Sequence, residues 1–100
     1  MKRNPRNDLA AALRTARKSV GLAQEGFMGV SGRTYISQLE RGERNATLSK
    51  LDDLAAVLGL HPATLVALSY LPPSATPTEV EKLLSRIRDE ATRVIAASSS

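Results

Sequence analysis

The chain has 100 residues, 42% of them apolar, a net charge of +4 and no cysteine. That length suits one small domain with an added element, and the lack of cysteine excludes disulfides and thiolate metal sites. Phe27, Tyr35 and Tyr70 are the only aromatics, and an Ala- and Leu-rich chain with so few of them favours helices over sheet.

The positive charge is concentrated at the start. Residues 1–20 hold six basic residues against Asp8 alone, 21–75 hold four basic and five acidic, and 76–100 hold four of each. A basic N-terminus suits a phosphate-rich partner, and a solvated tail has the same composition. The run Leu9 to Leu13 is too short for the apolar core of a secretory signal. No apolar run is long enough to span a bilayer. The expectation is a soluble chain in the cytoplasm, with no membrane association.

Residues 1–7 read as a basic arm, turn-like around Asn4-Pro5. From Asp8 on, Leu9, Ala12, Leu13, Ala16 and Val20 recur at helical spacing. Asn7 or Asp8 can cap that helix and Gly21 can end it. A short second segment follows from Gln24 to Met28, weakened by Gly26. A third helix is expected from about Gly32 to Arg41, stopped at Gly42. Thr47 is placed to cap a fourth, with Leu48, Leu51, Leu54, Ala55 and Leu58 inward and Gly59 as its stop. His61-Pro62 opens a fifth, through about Leu71. Residues 72–76 break the pattern with paired prolines. Thr76-Pro77-Thr78-Glu79 is a start signal with a capping box. The last helix, 77–96, then sets Val80, Leu83, Leu84, Ile87, Ala91 and Val94 on one stripe. Residues 97–100 read as a frayed tail. No segment reads as strand, so the fold class is all-α: five helices over 8–71 and one amphipathic helix after them.

The third helix is two-faced. At about 100° per residue, Arg33, Ser37, Arg41, Thr34 and Gln38 fall within an arc of roughly 140°. Ile36 and Leu39 lie opposite, on a face suited to a core. A merely solvated helix face is usually rich in Lys and Glu. Arg and Gln side chains can instead bond bidentately to guanine and adenine edges in the major groove.

Several residues in register carry a resemblance: Arg17, Gly21-Leu22, Gln24-Glu25, Tyr35-Ile36-Ser37, Leu39-Glu40-Arg41-Gly42, Leu48, Leu51, Ala55 and Leu58-Gly59. Over about Asp8 to Leu71 the chain resembles the phage-repressor-like helix-turn-helix domain of Cro/XRE-type regulators, restriction-modification controller proteins among them. The resemblance implies sequence-specific binding of double-stranded DNA by a transcriptional regulator. Its third helix would lie in the major groove of a palindromic operator. By position, Arg33, Thr34, Ser37 and Gln38 would face base edges. Gln24, Tyr35, Arg41, Arg44 and Asn45 would contact the backbone, which positions the protein without reading sequence. Arg17 and Glu40 resemble a structural ion pair between the first and third helices.

Two departures from the family pattern stand out. Ala23 occupies a position usually held by a capping Ser or Thr, and Gln24 to Tyr35 is two residues shorter than usual. A compact variant of the turn is implied, and Gly32 either leaves room for a phosphate or only permits the shortened turn.

The arm at 1–7 could reach a DNA minor groove. The last helix must bury its stripe, on its own domain or against a second chain; homodimerisation through 77–96, helped by 60–71, is the preferred expectation. No enzyme, metal, cofactor or small-molecule ligand is expected: His61 is the sole histidine and reads as a cap, and no carboxylate pair or glycine loop is in place. The rival functions are a protein-interaction module, antitoxin- or antirepressor-like, acting through the last helix, and an RNA binder using the same basic surface.

Overall fold

The computed structural model describes residues 7–99, so the expected basic arm lies outside the described residues except for Asn7. Among those residues there are five α-helices and no strand. They are α1 (Leu9–Ser19), α2 (Arg33–Glu40), α3 (Leu48–Leu58), α4 (Pro62–Ser69) and α5 (Pro77–Ser98), with one 3₁₀ turn (Gln24–Phe27) between α1 and α2.

Local chemistry explains where the helices start. The Asp8 carboxylate accepts from the Ala11 N–H at 3.0 Å, and the Thr47 hydroxyl accepts from the Lys50 N–H at 3.1 Å. His61 Nδ1 accepts from the Ala63 N–H at 2.9 Å, with Pro62 as the first residue of α4. Thr76 and Glu79 form a reciprocal capping box, at 3.2 and 2.8 Å. Each bond satisfies an N–H that the helix itself leaves open. The ends are equally local: Gly42 at φ 75° and Gly59 at φ 72° occupy the left-handed region that strains an L side chain.

Helices α1 to α4 and the 3₁₀ turn share one core. Leu13, Phe27, Ile36, Leu39, Leu54 and Leu65 are its fully buried large side chains, one or two from each element. Helix α1 packs against both α2 and α4, and α3 packs against α4. The shape is longer than the core requires. The radius of gyration is 14.9 Å, with extents of 46 × 28 × 25 Å, against about 13 Å for a close-packed chain of this length.

Helix α5, at 22 residues, is the longest element among the described residues. It buries none of its residues and packs closely against no other helix. It also runs on to Ser98, two residues past the expected end. Two inward assignments are corrected. Val20 is exposed because it caps α1 after its last turn. Leu48 is 78% exposed because, as the first residue of α3, it projects beside the core. Ala11 is buried although the helical stripe passes it by, since α4 covers that side of α1.

Candidate nucleic-acid interface

Helix α2 is held at its C-terminal end. Arg17 Nε donates to Glu40 Oε2 at 2.6 Å and Arg17 Nη2 donates to Glu40 Oε1 at 2.9 Å. This bidentate geometry is the strongest form of a side-chain pair. Gln24 Nε2 adds a third bond to Oε1 at 3.1 Å, and Arg17 also donates to the Leu22 carbonyl at 2.8 Å. Glu40 is only 3% exposed. A carboxylate at a helix C-terminus opposes the helix dipole. Arg14, one turn before Arg17, offsets this by donating to the Glu40 carbonyl at 2.5 Å. Burial by itself would raise the Glu40 carboxyl. The hydrogen bonds from Arg17 and Gln24, with the charges of Arg17 and Arg14, outweigh it and hold the group below its ordinary value. Arg17 is raised in turn, chiefly by its bonds to Glu40.

With Ile36 and Leu39 buried on the other side, the outer face of α2 is fixed in orientation. Arg33 and Thr34 are exposed there, and Ser37 and Gln38 are half-buried beside them. The cations on this face are all engaged within the chain. Arg33 pairs with Glu25 on the 3₁₀ turn at 3.1 Å, and both are well exposed. Arg41 pairs bidentately with Glu43 at 2.9 and 3.0 Å and donates to the Ser37 hydroxyl. Arg44 donates to Gln38 Oε1 at 2.6 Å and stands 5.4 Å from the Tyr35 ring centroid. Lys50 flanks the same ring at 5.4 Å and donates to the Val30 carbonyl at 3.0 Å. Asn45 is exposed in the loop after α2. The Arg33, Arg41 and Arg44 contacts are exposed to solvent, where screening keeps such pairs weak, while the Lys50 bond to Val30 is partly buried.

A helix-turn-helix family model matches residues 13–65, just over half of the chain. The chain belongs to the helix-turn-helix family. The match runs from Leu13, within α1, to the middle of α4 and leaves α5 outside. Within the family, the domain is of the XRE type. The chain is 48% identical over 52 residues to "Control protein C.SmaI" of Serratia marcescens, an alignment covering 50% of this chain and 62% of that protein. The chain therefore spans less than two thirds of this curated relative's length. No solved structure matches it significantly.

In this helix-turn-helix domain the second helical segment is reduced to a single 3₁₀ turn. Ala23 precedes it in extended conformation with no side-chain cap bond, as its apolar side chain requires. Phe27 is completely buried and anchors the turn. Gly26 leaves room for a neighbour: a Cβ there would stand 2.3 Å from Leu22 Cδ1 and 2.5 Å from Cγ, so the half-buried Leu22 side chain would have to shift. Gly32 is the opposite case. Its φ of −74° suits any residue, and nothing lies within 4 Å of where its Cβ would be. The shortened turn therefore does not require glycine at this position. What Gly32 does is leave the N-terminus of α2 uncapped and open, a geometry that suits an anion.

The structure turns the Gln24 amide toward Glu40, so in the free chain it serves the buried pair rather than the open surface. Four residues of this region escape sequence reasoning. Arg14 reaches a backbone carbonyl 26 positions away, a contact with no sequence signature. Lys50 joins Tyr35 only through the fold. Glu25 and Glu43 occupy the guanidinium groups of Arg33 and Arg41. Glu43, two residues from Arg41, is the only one of these whose proximity the sequence displays.

Proposed function

We propose that this chain is a transcriptional regulator that binds double-stranded DNA sequence-specifically as a homodimer, with α2 in the major groove of a palindromic operator. The observation that carries this is the two-sided construction of α2. Its inner side is locked by Ile36, Leu39 and the Arg17–Glu40 pair, while its outer side holds Arg33, Thr34, Ser37 and Gln38 in fixed register. Membership of the helix-turn-helix family and the printed name of the relative, a control protein, support the same function.

Arg33 and Gln38 are the assigned base readers, with Thr34 and Ser37 beside them. Arg41, Arg44 and Asn45, with Tyr35 between Arg44 and Lys50, line the flank as backbone contacts. To reach DNA, Arg33 leaves Glu25 and Arg44 leaves Gln38, exchanges that cost little at exposed sites. Gln24 reaches a phosphate only by giving up its bond to Glu40. The arm at 1–7 is assigned to the adjacent minor groove, and the protein to the nucleoid in the cytoplasm. A dimer would set two copies of α2 about one DNA turn, ~34 Å, apart.

The test is a comparison of two alanine variants on duplexes that differ by single base pairs. Arg33→Ala should lose about 1–3 kcal/mol of discrimination at one base position, and Arg44→Ala should weaken all duplexes about equally. Uniform losses in both variants would mean that α2 does not read bases through Arg33. The unburied α5 favours a second function, as the docking element of an antitoxin- or antirepressor-like partner. Absence of any duplex binding, with capture of a protein partner through α5, would support that one instead.

A further inference from the structure

We propose that α5 is a reciprocal clasp: its projecting end fills a groove on a second copy of this chain, in an antiparallel two-fold pairing. Three features of one chain support it.

The first is a hole. Between α3, α4 and α5 lies an open groove of about 470 Å³, lined by Leu48, Leu51, Pro62, Val66, Tyr70 and Ile87. Its lining is almost wholly apolar, yet Leu48 and Tyr70 are 78% and 54% exposed. The second is a peg. From Ala91 to Ser99 every residue is exposed, Val94 and Ile95 by 63% and 65%. Hole and peg sit on the same helix: Ile87 borders the groove and Val94 lies two turns further on, ~11 Å away. A two-fold axis across α5 at about position 90 brings the Val94 of each copy beside the Ile87 of the other. Ala91, the small residue next to that crossing, lets the helices approach. Self-complementarity of this kind is what an isologous contact demands.

The third feature is charge. Arg93 is the only charged residue from position 91 to 98, and Asp52 is the only charged residue lining the groove. Among the described residues neither has an ion-pair partner within its own chain. The pairing that seats Val94 in the groove carries Arg93 to the Asp52 of the second copy, twice by symmetry. Charges nearer the crossing are already matched within each helix, Arg86 with Glu90 at 3.1 Å and Arg88 with Asp89 at 3.0 Å. They therefore add no net repulsion.

This clasp deepens the proposed function, since it supplies the two-fold symmetry a palindromic operator needs. Its test reads assembly alone and stands apart from DNA binding. Sedimentation equilibrium on the full-length chain should show a dimer. Val94→Glu should weaken it by about tenfold or more, because a carboxylate would enter an apolar groove. Helix content should be unchanged, since Val94 is exposed in the single chain. Arg93→Asp should weaken the dimer several-fold, and Arg93→Asp combined with Asp52→Arg should restore it. A monomeric wild type, a dimer indifferent to Val94→Glu, or a charge exchange that fails to restore assembly would each overturn the clasp.

Discussion

Replacing Arg17 by Met tests how α2 is held in place. The substitution keeps the length and apolar stem of the side chain and removes the guanidinium that makes two bonds to Glu40 and one to Leu22. Glu40 stays 97% shielded from solvent in a wild-type-like fold, with one neutral bond from Gln24 and the charge of Arg14 to support it. Breaking a buried pair in this way costs about 3–5 kcal/mol, a large share of the 5–15 kcal/mol that typically stabilises a domain. At roughly 4–8 °C per kcal/mol for a domain of this size, the midpoint should fall by at least ~12 °C. Urea and thermal unfolding followed by circular dichroism measure both. The double variant Arg17→Met, Glu40→Leu should recover a good part of the loss, because it removes the stranded charge as well. The pH dependence has a definite sign. The folded carboxyl of Glu40 lies below the ordinary Glu value of about 4.3. The pair's stabilisation is therefore complete above that value and is lost as pH falls through the folded one. The gap between wild type and Arg17→Met should narrow on acidification. A gap of less than ~1 kcal/mol at neutral pH, or one that widens as pH falls, would refute the structural role assigned to the pair.

Three further substitutions probe the turn that shortens this domain. Ala23→Ser places a hydroxyl at an uncapped start in extended conformation and should add about 0.5–1 kcal/mol of stability in the same unfolding assay. Gly26→Ala should cost about 1–3 kcal/mol, since the new methyl overlaps Leu22 at 2.3 Å. Gly32→Ala should leave stability unchanged or raise it by up to ~1 kcal/mol, because its conformation is ordinary and the space is open. If Gly32 serves close approach of a phosphate, that variant should nevertheless bind duplex DNA more weakly in an anisotropy titration; unchanged affinity would remove that role.

Much of the fold is legible in the sequence because its punctuation is local. Asp8, Thr47, His61 and Thr76 each bond an N–H two or three residues on, so the start signals lie side by side in the chain. The two faces of α2 follow from periodicity in the same way. What periodicity does not carry is whether an apolar stripe has a cover. The stripes of α1 and α5 read alike, yet α1 is buried under α2 and α4 while α5 buries nothing. Leu48 and Val20 fail for a related reason: they sit at helix ends, where the helical arc no longer points at the core. The short spacing from Gln24 to Tyr35 displays a compact turn, but not that the second segment winds as a 3₁₀ turn around the buried Phe27. The pairing of Arg33 with Glu25 depends on the folded turn and could not be seen from either residue alone.

Selection of bound duplexes from a random pool tests the central claim most directly, followed by affinity measurements on the selected and a scrambled duplex over a range of salt. A sequence-specific regulator predicts enrichment of a short, two-fold symmetric site, bound about 10³-fold or more tightly than the scrambled duplex, with affinity falling steeply as salt rises. Recovery of no common site, or equal affinity for selected and scrambled duplexes, would contradict it.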